Sequence, residues 1–225
     1  MRSPEKGPAY EKYVEFKKSQ PIISNQDFQP FIVDNIFSEE DIKYIYNLIN
    51  TTNEDKTSLQ KWAGMKAWHM DLGPNIKEKI QKAVKENIGE HVVMSQDLSF
   101  ARYSAEYGYA TNLYPHVDTF FQNNKNKQRM TFDIQLYADE EWGVVVEDVE
   151  YFLENNQALV FCGTQQPHWR RQKQLKDGSR QDMIFCHLEY VDDTPLDDNQ
   201  EEIIISRSRF FSETYKMIYD KDLFY

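Results

Sequence analysis

Seven short runs of strand-forming residues follow one another between residues 92 and 191, separated by turns and not by helices: 92–104, 109–120, 129–138, 142–153, 157–163, 167–171 and 181–191. Joining parallel neighbours takes a crossover of a dozen or more residues, usually helical. The gaps here are too short for that. The pattern therefore predicts an antiparallel sandwich or barrel and argues against a parallel α/β sheet. Gly163 and Asp177-Gly178 mark turns between runs.

Two helices are expected ahead of this block. Ser38 followed by Glu39-Glu40-Asp41 supplies an N-cap and an acidic first turn. Ile42, Ile45, Leu48 and Ile49 then fall on one stripe, through about Asn50. Pro74 opens a second helix to about Asn87, with Ile76, Ile80, Ala83 and Val84 inward and Gly89 near its end. Phe28–Phe37 and Trp62–Leu72 read as strands, with the polar stretch 51–61 between the first helix and the second strand. Residues 1–27 carry Pro4, Pro8 and Pro21 among many charges and read as an extended N-terminal arm. One domain is expected over 28–191, with helical support at 28–91 and the β core at 92–191. Residues 192–225 read as an extension packed on the same domain and ending in a helix. The fold class that results is mainly β (α+β): a jelly roll with two supporting N-terminal helices and a C-terminal helical tail.

The chain has 26 Lys and Arg against 37 Asp and Glu, a net charge of −11. That balance disfavours wholesale binding to phosphate backbones or anionic membranes, so a nucleic-acid partner is not expected. Basic clusters occur locally, at Lys125, Lys127 and Arg129 and again at Arg170, Arg171, Lys173, Lys176 and Arg180. Each suits a solvated loop or the attraction of a small anion. Cys162 and Cys186 make no disulfide framework and sit in apolar runs, as thiols in a reducing compartment do. With no apolar signal core at the start and no run of about 18 apolar residues, a soluble cytoplasmic protein is expected.

His116-Val117-Asp118 ends the second run, and His168 lies 50 positions after Asp118. Strand side chains alternate with a period of two, so His116 and Asp118 share a face. One distant imidazole completes three ligands on one side of a metal, leaving the other positions open, which is the arrangement of non-heme Fe(II) oxygenases. His168 follows the apolar run 157–162 and the turn 163–167, so both ligand groups fall at strand ends. The other histidines carry no such spacing: His187, amid Ile184-Phe185-Cys186 and Leu188, reads as a core or supporting residue, and His69 and His91 as structural. Tyr107, Tyr109, Tyr114, Phe120, Phe121 and Trp169 suit either a substrate groove or barrel packing.

The order of these segments resembles the Fe(II)- and 2-oxoglutarate-dependent oxygenases, especially their prolyl-4-hydroxylase-like branch. The resemblance runs from about residue 28 to 191. It starts with FIVDNIFSEEDI, continues with Ser99-Phe100-Ala101-Arg102-Tyr103 leading through Gly108 to H-x-D, and includes ALVFCGTQQPHWR at 158–170 and the strand QDMIFCHLEYV headed by Arg180. It implies a double-stranded β-helix in which His116, Asp118 and His168 bind Fe(II). Arg180 is the preferred partner for the distal carboxylate of 2-oxoglutarate, with Arg170 the second candidate; guanidinium suits a carboxylate bidentately. Tyr103 would donate a hydrogen bond to the same group. The implied reaction couples oxidative decarboxylation of 2-oxoglutarate, with O2, to hydroxylation of a C–H bond, ascorbate being an optional reductant. A peptide or protein substrate such as a prolyl residue, or a small metabolite, is expected. The pattern departs in two places: a Gly-Gly-Glu/Asp-Thr stretch common in relatives is replaced by Ala138-Asp139-Glu140-Glu141-Trp142-Gly143-Val144, which bears on the substrate-facing loop, and Arg180 lies 12 after His168, slightly beyond the commoner spacing, which implies a loop insertion at Gln172–Ser179. Two other readings stay open, a non-catalytic jelly-roll metal- or ligand-binding module and a cupin-like metalloenzyme that does not use 2-oxoglutarate. Oligomeric state is not legible.

Overall fold

The computed structural model describes residues 2–23, 27–69, 71–108, 111–191 and 195–218. In chain order the elements are β1 (Glu5–Lys6), α1 (Tyr10–Lys18), β2 (Phe31–Val33), α2 (Glu39–Thr51), β3 (Thr57–Gln60), β4 (Met65–Trp68), α3 (Gly73–Asn87) and β5 (Val92–Ser104). There follow β6 (Thr111–His116), β7 (Phe121–Gln122), β8 (Lys125–Asn126), β9 (Arg129–Ala138), β10 (Val144–Val146), β11 (Val149–Tyr151), β12 (Gln157–Phe161), β13 (His168–Lys173), β14 (Arg180–Tyr190) and α4 (Asp198–Ile218).

The strands form a seven-stranded sheet, in order β2-β12-β9-β14-β5-β4-β3, and a five-stranded sheet, β1-β11-β10-β13-β6; β7 and β8 make a separate hairpin. Every recorded pairing is antiparallel. The alternation of side chains explains how the two sheets divide the core. On β9, Met130, Phe132, Ile134 and Leu136 join Ile184, Cys186 and Leu188 of β14 beneath α2 and α3, whose Ile45, Ile49, Ile76, Ile80 and Val84 close that face. The odd-numbered residues of the same strands, among them Thr131, Asp133, Phe185 and His187, point to the inside between the sheets. Val144 and Val146 of the small sheet meet Leu159 and Phe161 of the large one across the gap.

The helix starts follow local chemistry. Ser38 caps α2 by accepting from the Asp41 backbone N–H, and the Asp41 carboxylate reaches back to the Ser38 N–H at 2.9 Å. Lys79 of α3 ties into the same carboxylate at 2.5 Å, so the cap also clamps the two helices together. Pro74 lies in the first turn of α3, where its missing N–H costs nothing.

Several segments differ from expectation. Within residues 1–27, Tyr10–Lys18 is helical and not extended, because Ala9 and Tyr13 are buried against Val145, Trp169, Phe211 and Tyr215 on the outer face of the small sheet. The polar stretch 51–61 contains β3, an edge strand whose polar side chains need no second sheet. The run 142–153 breaks into a hairpin because Glu147 and Asp148 take positive φ of 48° and 64°. Two such residues make the tight turn whose twist matches the strands. Asp148 offsets the cost of that conformation by accepting hydrogen bonds from the Ala9 N–H, Tyr215 and Arg171. Its buried carboxylate thereby fastens both α1 and α4 to the small sheet. Among the described residues no helix is long and apolar enough to cross a membrane, and both cysteines are free and buried.

Candidate active site

Strands β6 and β13 pair so that His116 and His168 lie directly opposite, with ring centroids 4.3 Å apart. Each imidazole is aimed by its own backbone. Nδ1 of His116 lies 2.7 Å from the Tyr114 carbonyl, and Nδ1 of His168 lies 3.0 Å from the Gln166 carbonyl. A carbonyl can only accept, so Nδ1 carries the proton in both rings and Nε2 is left as a lone-pair donor. Asp118 meets them: its Oδ1 is 3.9 Å from His116 Nε2 and 3.7 Å from His168 Nε2. All three ligand atoms lie within 4.8 Å of one another. Neighbouring ligands around an ion at about 2.1 Å sit roughly 3 Å apart, so a small inward shift lets all three bind one cation.

Asp118 is held independently of any metal. Its N–H donates to the Gly163 carbonyl at 2.9 Å, and its Oδ2 accepts from Thr131 Oγ1 at 3.0 Å. Burial acts to raise the Asp118 carboxyl, but the imidazoles of His168, His187 and His116 and the Thr131 bond outweigh it, leaving it below the ordinary value. Burial pushes His168 down to about 4, with the neighbouring His116 adding to the effect, so His168 is neutral and ready to ligate at neutral pH. Gly163 is required by this packing: a Cβ there would overlap Thr131 Oγ1 and Asp118 Oδ2. Gly163→Ala is expected to weaken divalent-metal binding by about 10–100-fold, the usual cost of disturbing a ligand's support, and to lower thermal stability as Thr131 and Asp118 are pushed aside. Isothermal titration with a redox-inert divalent ion reads this directly.

The three ligands face a cavity of about 190 Å³ between the sheets. Its other end is polar. Arg170, two residues after His168 and therefore on the same face of β13, is 3% exposed. Its Nη1 donates to the Trp142 carbonyl at 2.7 Å and to Gln181 Oε1 at 3.0 Å, while its Nη2 meets the Met183 sulfur at 3.5 Å. The Tyr103 hydroxyl accepts from the same guanidinium, which leaves the phenolic O–H to donate. Burial pushes Tyr103 up to about 12, so it stays protonated.

The structure brings His116, Asp118, His168, Tyr103 and Arg170 to one cavity, and it leaves Arg180 out. Residues 181, 183, 185 and 187 of β14 face inward, so Arg180 faces α2, where it pairs with Asp182 at 3.2 Å and stacks over Tyr137 with its side chain 40% exposed. Of the two arginines considered for the cosubstrate carboxylate, Arg170 lines the cavity and Arg180 does not. Parity of the strand decides it. Trp169 borders the cavity, but its ring packs on Phe211 and Tyr215 outside the small sheet. His187 lines the cavity, 3.9 Å from Asp118 Oδ2 and edge-on to Phe120. His69 and His91 lie elsewhere, against Ser58 and Tyr190. Tyr109 is outside the described residues.

Sequence reasoning missed Asp133, which also lines the cavity. The signal was present. In Arg129–Ala138, Thr131, Asp133 and Gln135 alternate with apolar residues, a pattern that ordinarily means a wet outer face. Here the polar face is the inner one. Burial pushes the Asp133 carboxyl up to about 8, against the opposing effect of Arg170 and with Asp118 adding to it. A raised carboxyl contributes stability that is full below its unfolded value near 3.8 and lost as pH rises toward 8. Asp133→Asn is therefore expected to raise the melting temperature of the metal-free protein at pH 8 by on the order of 5 °C, with the advantage shrinking toward pH 4. Paired thermal melts across that range measure it.

No family model matches the sequence, and a search of curated proteins finds no match. Solved structures do match. The structure of HygX from Streptomyces hygroscopicus with nickel and 2-oxoglutarate bound superposes with a TM-score of 0.53 at 8% identity, covering 72% of this chain and 83% of that one. A viral collagen prolyl hydroxylase from Paramecium bursaria Chlorella virus-1, in complex with 2-oxoglutarate, gives 0.52 at 16% identity, covering 75% and 100%. A Pseudomonas putida prolyl-4-hydroxylase gives 0.50 at 11% identity, covering 72% and 92%. The chain shares its fold with 2-oxoglutarate- and iron-dependent oxygenases. At these identities the likeness speaks for architecture, and the chemistry has to come from the residues.

Proposed function

We propose that the protein is a non-heme iron dioxygenase that couples oxidative decarboxylation of 2-oxoglutarate to hydroxylation of a C–H bond. In this reading the two-sheet architecture is a double-stranded β-helix spanning 28–191, with 1–27 and 192–225 packed on it. The observation that carries the proposal is the pairing of two ends in one cavity. His116, Asp118 and His168 converge at one end, and a buried arginine with a tyrosine stands at the other.

The residues fit the iron they would hold. Both Nε2 lone pairs and one carboxylate oxygen point at a common centre from one side only, which leaves the remaining positions to a cosubstrate and oxygen. Iron(II) with 2-oxoglutarate and O2 supplies the oxidising chemistry, releasing succinate and CO2. The protein's own part is binding and orientation. Arg170 Nη2 and the Tyr103 O–H would take the distal carboxylate, placing the 2-oxo acid end toward the metal. Three of the contacts around Arg170 come from fixed groups, the Trp142 carbonyl, Gln181 and Tyr103, so the guanidinium is preorganised before the ligand arrives. Val144, Leu113 and Phe185 in the cavity wall help keep water from the reacting end.

A peptide residue, with prolyl the leading choice, or a small metabolite is the proposed substrate. HygX has been solved with hygromycin B bound, and two of the structures above are prolyl hydroxylases, so the architecture serves both substrate classes. Turnover tests the reading. Iron-loaded protein given 2-oxoglutarate and O2 is expected to release succinate, slowly alone and faster with a substrate drawn from proline-containing peptides and metabolites. Absence of succinate from folded, iron-loaded protein across that panel would favour a non-catalytic binding module.

A further inference from the structure

Asp133 is the one carboxyl in the cavity that the reading above leaves without a task. It sits on the inner face of β9, is 6% exposed, and its Oδ1 has no hydrogen-bond partner among the described residues. Arg170, a cation lining the same cavity, spends its hydrogen bonds on Trp142, Gly143, Gln181, Met183 and Tyr103. Arg170 favours the ionised form of Asp133 but does not outweigh its burial, and a buried carboxylate without a donor is disfavoured. A neutral carboxyl is not, provided its O–H finds an acceptor, and within the cavity a ligand is the natural source of one.

Charge balance points the same way, given the iron and 2-oxoglutarate reading on which this inference rests. The ion and Arg170 bring three positive charges, Asp118 removes one, and 2-oxoglutarate brings two negative charges. The site is neutral only if Asp133 contributes none. An ionised Asp133 would add a third anion to a cavity whose positive charges are already matched.

We propose that Asp133 is a cosubstrate-binding residue whose neutral carboxyl donates a hydrogen bond to the distal carboxylate of a bound 2-oxo diacid, beside Arg170 and Tyr103. The charged and titratable groups that share its cavity are Arg170 and His168 from β13, Tyr103 from β5, His187 from β14, His116 from β6 and Asp118 just beyond it. Its high proton affinity, with the carboxyl raised to about 8, agrees with a donor at neutral pH. The consequence is selectivity. The polar end would prefer a dicarboxylate over a 2-oxo acid with an apolar tail by more than the arginine alone provides.

Anaerobic equilibrium binding to the iron-loaded protein tests this, using 2-oxoglutarate and 2-oxovalerate, the same 2-oxo acid without the distal carboxylate. Asp133→Asn keeps a donor of the same shape and is expected to bind 2-oxoglutarate within about threefold of the parent. Asp133→Leu removes the donor and is expected to bind 2-oxoglutarate about tenfold more weakly, with 2-oxovalerate changed by less than about threefold. Tenfold tighter 2-oxoglutarate binding by Asp133→Asn would mean an ionised, repelling carboxylate and overturn the proposal. So would parent-like 2-oxoglutarate binding by Asp133→Leu, or equal losses for both ligands, which would mark a packing role. Those failures occur in a protein that binds 2-oxoglutarate. If the parent binds neither acid, the iron and 2-oxoglutarate reading itself falls, and this inference with it.

Discussion

Asp118→Ala is expected to abolish iron binding and 2-oxoglutarate turnover together, while the protein still folds. Asp118 is the anionic member of the triad and the residue on which the other ligands converge, with its Oδ1 3.7 Å and 3.9 Å from the two Nε2 atoms. Two neutral imidazoles alone leave a hard divalent ion without the charge that offsets its desolvation. The loss should therefore be to background, not partial. The fold should survive because Asp118 lies on a segment after β6 and outside the large apolar clusters. Asp118→Asn sharpens the test by keeping the shape and the backbone N–H to Gly163 while removing the charge. A variant that retains iron after either change would contradict the proposed ligand set. Metal content by elemental analysis and far-ultraviolet circular dichroism, taken on one sample, separate loss of iron from loss of fold.

The second large effect separates the two arginines. Arg170→Met is expected to weaken 2-oxoglutarate binding by about a hundredfold, as removal of roughly 3 kcal/mol of charge-assisted hydrogen bonding would. Arg180→Met should change it by less than about threefold, because an arginine on the outer face costs only the modest interactions of a half-exposed ion pair. Iron binding should persist in both. Arg170→Lys is the informative intermediate: it keeps a charge but cannot reproduce the planar contacts with Trp142, Gln181 and Tyr103, so it should recover only part of the affinity. The reverse ranking, with Arg180→Met the damaging change, would return the anchor to the head of β14 and contradict the placement described here.

Much of this was legible before the structure, and the exceptions share a cause. Strand existence could be read because the runs are apolar and bounded by turn residues, as at 129–138 and 157–163. The H-x-D pair and His168 could be read as a set because they fall at strand ends, although β6 stops at His116 and Asp118 is placed by its bonds to Gly163 and Thr131 and not by strand alternation. The split of 142–153 could not be read, since Glu147-Asp148 is not a usual pair for a left-handed turn; by contrast Asn123 and Asn124, with φ of 53° and 63°, suit theirs. The helix at 10–18 was hidden for a different reason. Its stability comes from Tyr13 packing on α4 and the small sheet, a contact across the whole chain that no local pattern announces.

Arg170 and Asp133 show the remaining limit. Which face of β14 or β9 is interior depends on how the two sheets close over each other, and both faces of the large sheet are covered. Once closure is known, parity sends Arg180 outward and turns Arg170 and Asp133 inward. A polar residue on a buried strand face thus becomes a ligand candidate only when the cavity it enters is seen.

The most direct measurement is an anaerobic titration of the protein with Fe(II) followed by 2-oxoglutarate, recording the weak visible charge-transfer band of the iron-bound 2-oxo acid. The account predicts a band that appears only when both are present and saturates at one equivalent of each per chain. It should be absent in Asp118→Ala and right-shifted in 2-oxoglutarate concentration in Arg170→Met. A folded protein that binds iron at the triad yet shows no band at saturating 2-oxoglutarate would contradict it.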